Sequence, residues 1–196
     1  MGKQYGHGIH YGQRHQQTEE PYLYWRLPSR PYLPPSKCKK MFCLFLEKYS
    51  DYDYFMIVDD DTYVYVEKLK LYLTFFDKKD LYMIGDFLNW PYILPEFRFG
   101  GNYEYWVGGG SGIVFTKSCI QEFQRLFTTY DVPYINHDVW LHQLFKLSDG
   151  KIKRTHCPAF HQYEEFPLHL TFSKEDNQMI SVHLNHNLDL LQYYHV

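Results

Sequence analysis

Three consecutive carboxylates, Asp59, Asp60 and Asp61, follow directly on the apolar run Tyr54-Phe55-Met56-Ile57-Val58. Such a run, short and bounded by polar residues, is what a strand buried on both faces of a mostly parallel sheet looks like. The aspartates then stand at the strand's carboxyl end, the edge where open α/β folds bind ligands. Hard oxygen donors gathered there suit Mg²⁺ or Mn²⁺. A solvated acidic turn or an Asp helix cap explains one such residue easily and three in a row poorly. An EF-hand loop is excluded, because counting from Asp59 the sixth position is Val64 where glycine is required, and the twelfth is Lys70 where Glu is required.

Other groups could join this chemistry. The stretch Gly108-Gly109-Gly110-Ser111-Gly112 lets a backbone approach a ligand closely or simply makes a tight turn, and it lacks the Lys of a phosphate-binding P-loop. Asp138 falls at the start of a predicted helix, where the helix dipole favours an ionised carboxylate available as a base; an ordinary N-terminal helix charge is the simpler alternative. His161, between Phe160 and Gln162, reads by itself as a satisfied core or surface histidine. His7, His10 and His15 resemble a metal-binding tract, although isolated histidines in such a segment are more often solvated.

The elements that must position these groups follow from periodicity. Residues 1–36 are Gly-, Gln-, His-, Pro- and Tyr-rich without period, and Pro21, Pro28, Pro31, Pro34 and Pro35 argue for an irregular arm. Ser36 is a candidate N-cap for a helix over 37–49 carrying Met41, Leu44, Phe45 and Tyr49. After the aspartates, Val66, Leu69, Leu73 and Phe76 recur at helical intervals, and Leu81 to Ile84 begins a strand reaching Gly85, which is βαβ grammar. Trp106-Val107 leads through the glycines into a strand at Ile113 to Phe115. Thr116 or Ser118 can cap a helix with Ile120, Phe123 and Phe127, and another helix starts near Asn136 with Trp140, Leu144 and Leu147. His156 to His161 and Ile180 to Leu184 read as short strand or loop segments.

Composition bounds the class. The 196 residues suit a single domain of moderate size, and with 45% hydrophobic and 22% charged residues disorder and collagen-like structure are excluded. The 20 Tyr, 15 Phe and 4 Trp furnish a core and suit clefts for hydroxyl-rich ligands. A net charge of -3 offers no footprint for nucleic acid or an anionic membrane. The longest apolar run, Met41 to Leu46, falls far short of the ~20 residues that span a bilayer, and no apolar signal core opens the chain. Cys38, Cys43, Cys119 and Cys157 include no C-x-x-C pair, and buried free thiols are the simplest reading of Cys119 and Cys157.

Taken in order, Tyr54-Phe55-Met56-Ile57-Val58-Asp59-Asp60-Asp61-Thr62-Tyr63-Val64, Tyr82 to Gly85, Trp106 to Gly112, Asp138-Val139 and Phe160-His161 resemble the fringe-like β-1,3-glycosyltransferases, the group of fringe and the core 1 β-1,3-galactosyltransferases. The likeness covers about Lys37 to Leu184, and Ile180-Ser181-Val182-His183-Leu184 is similar to the segment near that family's C-terminus. It implies a GT-A-like, Rossmann-like fold over 37–196: a mixed, mostly parallel sheet flanked by helices, lacking the family's first βα units. It further implies inverting transfer of a hexose, of galactose or N-acetylglucosamine type, from a UDP-sugar to a hydroxyl of a glycan or glycoprotein. In that mapping Mn²⁺ is held by Asp61 with Asp59 or Asp60, and by His161. Asp138 is the general base, while Trp106, Gly108, Gly109, Gly110 and Ser111 border the sugar sites. The family's residence is the Golgi or secretory lumen, as type II membrane proteins, and no anchor is expected in this chain. Asn136-His137 stands where the family usually has an acidic residue before the base. The missing units, which form much of the family's uridine pocket, leave a second expectation, a non-catalytic relative binding a glycan or protein. A metal-dependent phosphohydrolase is a third.

Overall fold

The computed structural model describes residues 35–88, 105–133, 136–161 and 179–184. The expected N-terminal arm, and with it His7, His10 and His15, lies outside the described residues apart from Pro35 and Ser36.

Among the described residues four helices, α1 (Pro35–Lys48), α2 (Val66–Leu73), α3 (Lys117–Thr129) and α4 (His137–Lys146), accompany nine short strands. The main sheet is formed by β1 (Tyr54–Ile57), β3 (Tyr82–Gly85), β6 (Ile113–Thr116) and β7 (Lys153–His156) in the order β1-β6-β3-β7. β3 and β7 pair in parallel, while β6 runs antiparallel to both of its neighbours. Three of the four strands therefore share one direction, and the fold is the expected mixed α/β sheet. The βαβ reading of β1, α2 and β3 holds for direction, but the two strands are not neighbours, because β6 lies between them.

Both faces of this sheet are apolar and both are covered. Phe55, Ile57, Met83, Ile113 and Phe115 point to one side, where they pack with Cys38, Phe42 and Phe45 of α1, Ile120 and Phe123 of α3 and Trp140 of α4. Phe42 meets Phe115 edge-on at 5.1 Å between ring centroids, a favourable aromatic geometry. The alternate residues Tyr54, Met56, Ile84 and Val114 point to the other side, onto Leu69, Tyr72 and Leu73 of α2 and Phe160. This two-sided burial is why the strands read as continuous apolar runs.

Thr116 ties the sheet to α3. Its hydroxyl accepts from the backbone N–H of Cys119 at 3.3 Å as the helix N-cap, accepts from Tyr82 N–H at 3.1 Å and donates to Asp80 C=O at 2.6 Å. Cys38, Cys119 and Cys157 are buried free thiols and Cys43 is exposed; burial pushes the Cys38 and Cys119 thiols up in pKa, so they are inert core groups.

Two smaller sheets sit at the carboxyl ends of these strands. β2 (Thr62–Val64), β9 (Ser181–His183) and β8 (Phe160–His161) form one, with β2 antiparallel and β8 parallel to β9. β4 (Phe87–Leu88) and β5 (Trp106–Val107) form the other, an antiparallel pair.

Candidate metal centre and base

Asp59 and Asp61 follow β1, and the β2–β9 pairing brings a third group to them. The register sets Thr62 opposite His183, and the Leu184 N–H donates to the Asp61 carbonyl at 2.9 Å. His183 Nε2 consequently lies 3.2 Å from Asp61 Oδ1 and 4.0 Å from Asp59 Oδ2. One donor atom from each of Asp59, Asp61 and His183 falls within 4.8 Å of the others, and among the described residues this is the group able to hold a metal ion. Two carboxylate oxygens and an imidazole nitrogen form a donor set that suits Mn²⁺ or a similar divalent cation. Asp61 is only 5% exposed. Burial raises Asp59 above the ordinary carboxylate range, His137 and His183 pull it back down, and Asp61 and Asp138 push it up. The site thus concentrates negative charge that a cation would relieve.

Asp60 is exposed and stands outside this group. So does His161, which the β8–β9 register places opposite Val182, one strand away from His183. Burial holds the His161 imidazole below its ordinary pKa, and Asp86, its charged influence, opposes that. The family mapping expects a histidine at this group from His161, whereas the one that lies with Asp59 and Asp61 is His183. The available signal was the Ile180 to Leu184 segment itself, whose alternation puts His183 on the same face as Ser181.

The glycine segment is a turn fastened on three sides. Gly108 N–H donates to Asp86 C=O at 2.9 Å, Thr62 Oγ1 donates to Gly110 C=O at 2.5 Å, and Ser181 Oγ donates to Ser111 C=O at 2.6 Å. Gly112, at φ +106°, has the left-handed conformation that glycine permits. Gly109 serves a close approach instead: a Cβ there would lie 2.5 Å from both Cε1 and Nε2 of His137 and 3.6 Å from Asp138 Cβ. The first turn of α4 therefore packs directly on this backbone. His137 is 6% exposed, and its Nε2 has no hydrogen-bond partner among the described residues.

Asp138 is half-buried in that first turn. Its Oδ1 accepts from Val139 N–H at 2.8 Å and its Oδ2 from the indole N–H of Trp106 at 3.3 Å. Trp106 is buried at 5% exposure, so it presents its N–H to Asp138 and little ring surface to solvent. The structure thus brings together Asp59, Asp61, His183, Gly108 to Ser111, Trp106 and Asp138 around one sheet edge.

Two carboxylates and an imidazole able to take a divalent cation thus stand at the carboxyl end of a strand in a GT-A-like mixed sheet, with the Asp138 carboxylate at a helix N-terminus within electrostatic reach of Asp59. The chain belongs to the Fringe-like family, whose pattern matches residues 34–192. It is also similar to a beta-1,3-glucosyltransferase of Mus musculus, with 32% identity over 133 residues, 64% of this chain. The matched region is 24% of that protein's length, so this chain corresponds to about a quarter of it. Among the described residues no helix is long and apolar enough to cross a membrane.

Proposed function

We propose that the chain carries the transfer site of a β-1,3-glycosyltransferase, which moves a hexose from a UDP-sugar to a glycan or glycoprotein hydroxyl with inversion. Membership of the Fringe-like family favours this, as does the Mus musculus beta-1,3-glucosyltransferase to which the chain is similar. The observation that carries it is the Asp59, Asp61 and His183 group lying within electrostatic reach of Asp138.

In this reading Asp61, Asp59 and His183 hold the divalent cation. A cation held there would supply electrostatic stabilisation for charge developing on the departing UDP. Asp138 takes the proton of the acceptor hydroxyl as its oxygen bonds to the anomeric carbon and the bond from that carbon to UDP breaks; one displacement inverts the centre. The glycine turn seats the first turn of α4 and with it Asp138, since the space a Cβ at Gly109 would need is taken by His137. The reading puts this work in the secretory lumen, which membership of the Fringe-like family favours.

The test is Asp138→Asn, assayed with a panel of UDP-sugars and glycan acceptors. Turnover is expected to vanish while Mn²⁺-dependent UDP binding persists. Turnover surviving in Asp138→Asn removes Asp138 as the base, and wild-type binding of UDP and acceptor with no transfer makes the chain a glycan- or protein-binding relative.

A further inference from the structure

We infer that Trp106 is a positioning residue for Asp138: its indole N–H on Oδ2, acting with the Val139 N–H on Oδ1, fixes the plane in which the carboxylate offers its remaining lone pairs to the acceptor proton. This rests on the reading of Asp138 as the base. Oδ1 is engaged by the helix's own Val139 N–H, and Oδ2 by Trp106 Nε1 at 3.3 Å. Each oxygen of an ionised carboxylate has a second lone-pair site, so both can still accept, but neither can rotate without breaking a bond. The carboxylate is therefore pre-aimed, as a general base must be before an acceptor arrives.

The indole has little freedom to do otherwise. Trp106 is 5% exposed and lies in β5, paired through the Leu88–Trp106 register to β4. The carbonyl of the preceding Tyr105 accepts from Arg154 Nη1, and the Arg154 guanidinium packs over the Phe145 ring at 4.0 Å and the Phe87 ring at 5.6 Å. His142 Nδ1 lies 3.1 Å from the same Arg154 nitrogen. An arginine on β7 thus anchors the strand end that carries the tryptophan, two aromatic rings hold the arginine, and the tryptophan holds the base. A tryptophan recruited as a flat sugar platform would instead expose its face.

The experiment separates the N–H from the ring. Trp106 is replaced by 3-benzothienylalanine, which keeps the shape but has sulfur in place of N–H, and by 7-azatryptophan, which keeps the N–H. With the sulfur isostere kcat is expected to fall roughly 10–100-fold, the range for losing one hydrogen bond to a charged group, with KM and Mn²⁺-dependent UDP affinity unchanged. The aza variant is expected to retain activity within a few-fold. Equal kcat in the two variants, or a loss confined to KM, overturns the assignment.

A readout independent of turnover completes the test. The chain has four tryptophans, and the indole N–H resonance of Trp106 is expected to shift and to lose exchange protection in Asp138→Ala. An unmoved resonance overturns the contact and the proposal whatever the activity. A wild-type chain that shows the coupled resonance but transfers no sugar overturns the catalytic reading, and the role with it, while leaving the contact standing.

Discussion

Gly109→Ala isolates how α4 is seated on the glycine turn. Gly109 does not have a positive φ, so alanine meets no backbone strain there, and the effect is steric. The new methyl would sit 2.5 Å from two ring atoms of His137, closer than any real Cβ contact, and 3.6 Å from Asp138 Cβ. The imidazole is buried and cannot swing into solvent. Overpacking of this kind costs about 1–3 kcal/mol, less about 0.4–1 kcal/mol regained from the lower chain entropy of alanine. For a chain of 196 residues each kcal/mol lowers Tm by about 2–4 °C. If the clash is relieved by moving the first turn of α4, Asp138 moves with it, and a displacement of about 1 Å costs turnover on the order of 100-fold. The assays are urea denaturation, UDP titration with Mn²⁺ and sugar transfer. The decisive comparison is a double-mutant cycle with His137→Ala, which removes the clashing ring; the double variant is expected to be more stable than the sum of the singles by at least about 0.5 kcal/mol. A neutral Gly109→Ala, or simple additivity with His137→Ala, refutes the packing argument.

Other expectations concern single elements. His183→Ala is expected to weaken Mn²⁺ binding by more than the ~10–100-fold typical of losing an outer-shell partner, while His161→Ala leaves it within a few-fold, both read by metal titration. Thr116→Val keeps the shape but strands the Tyr82 and Cys119 N–H groups and the Asp80 carbonyl. It should destabilise the fold by about 2–4 kcal/mol in urea denaturation. Gly150→Ala meets nothing within 4 Å but has φ +76°, so it should cost only about 1–2 kcal/mol, with activity retained. Burial lowers the His161 pKa in the folded chain, so the unfolded chain binds that proton more readily. The stability this adds is present above the ordinary value of about 6.5 and is lost as pH falls below it. Urea midpoints of His161→Gln across that range should show a shallower acid decline than wild type.

The legible parts of the molecule were those written in local sequence. Tyr54 to Ile57 announced a strand covered on both faces, and the aspartates beyond it announced a ligand edge. Of the two caps the sequence offers for α3, Thr116 and Ser118, the helix uses Thr116, and Asn136 stands as the N-cap of α4. What sequence could not resolve depends on pairing across distance. A buried apolar strand looks alike in either direction, so nothing in Ile113 to Phe115 told that β6 opposes both neighbours. Which histidine meets the aspartates turned on pairing: the β2–β9 register delivers His183 to Asp61, and the β8–β9 register leaves His161 beside Val182. Register is set by the sheet and not by the residues of one strand. Trp106 was legible as an aromatic residue beside glycines; that its ring is buried and its N–H points at Asp138 emerges only when β5 meets α4.

Asp59, Asp61 and His183 are proposed to form one divalent-cation site for the diphosphate of UDP. Isothermal titration of UDP into the chain, with and without Mn²⁺, on wild type, Asp61→Ala and His183→Ala, addresses it most directly. Wild type is expected to bind UDP only with Mn²⁺, and both variants are expected to lose that binding. UDP binding that ignores Mn²⁺ or survives His183→Ala, or no binding by a folded wild-type chain, contradicts it.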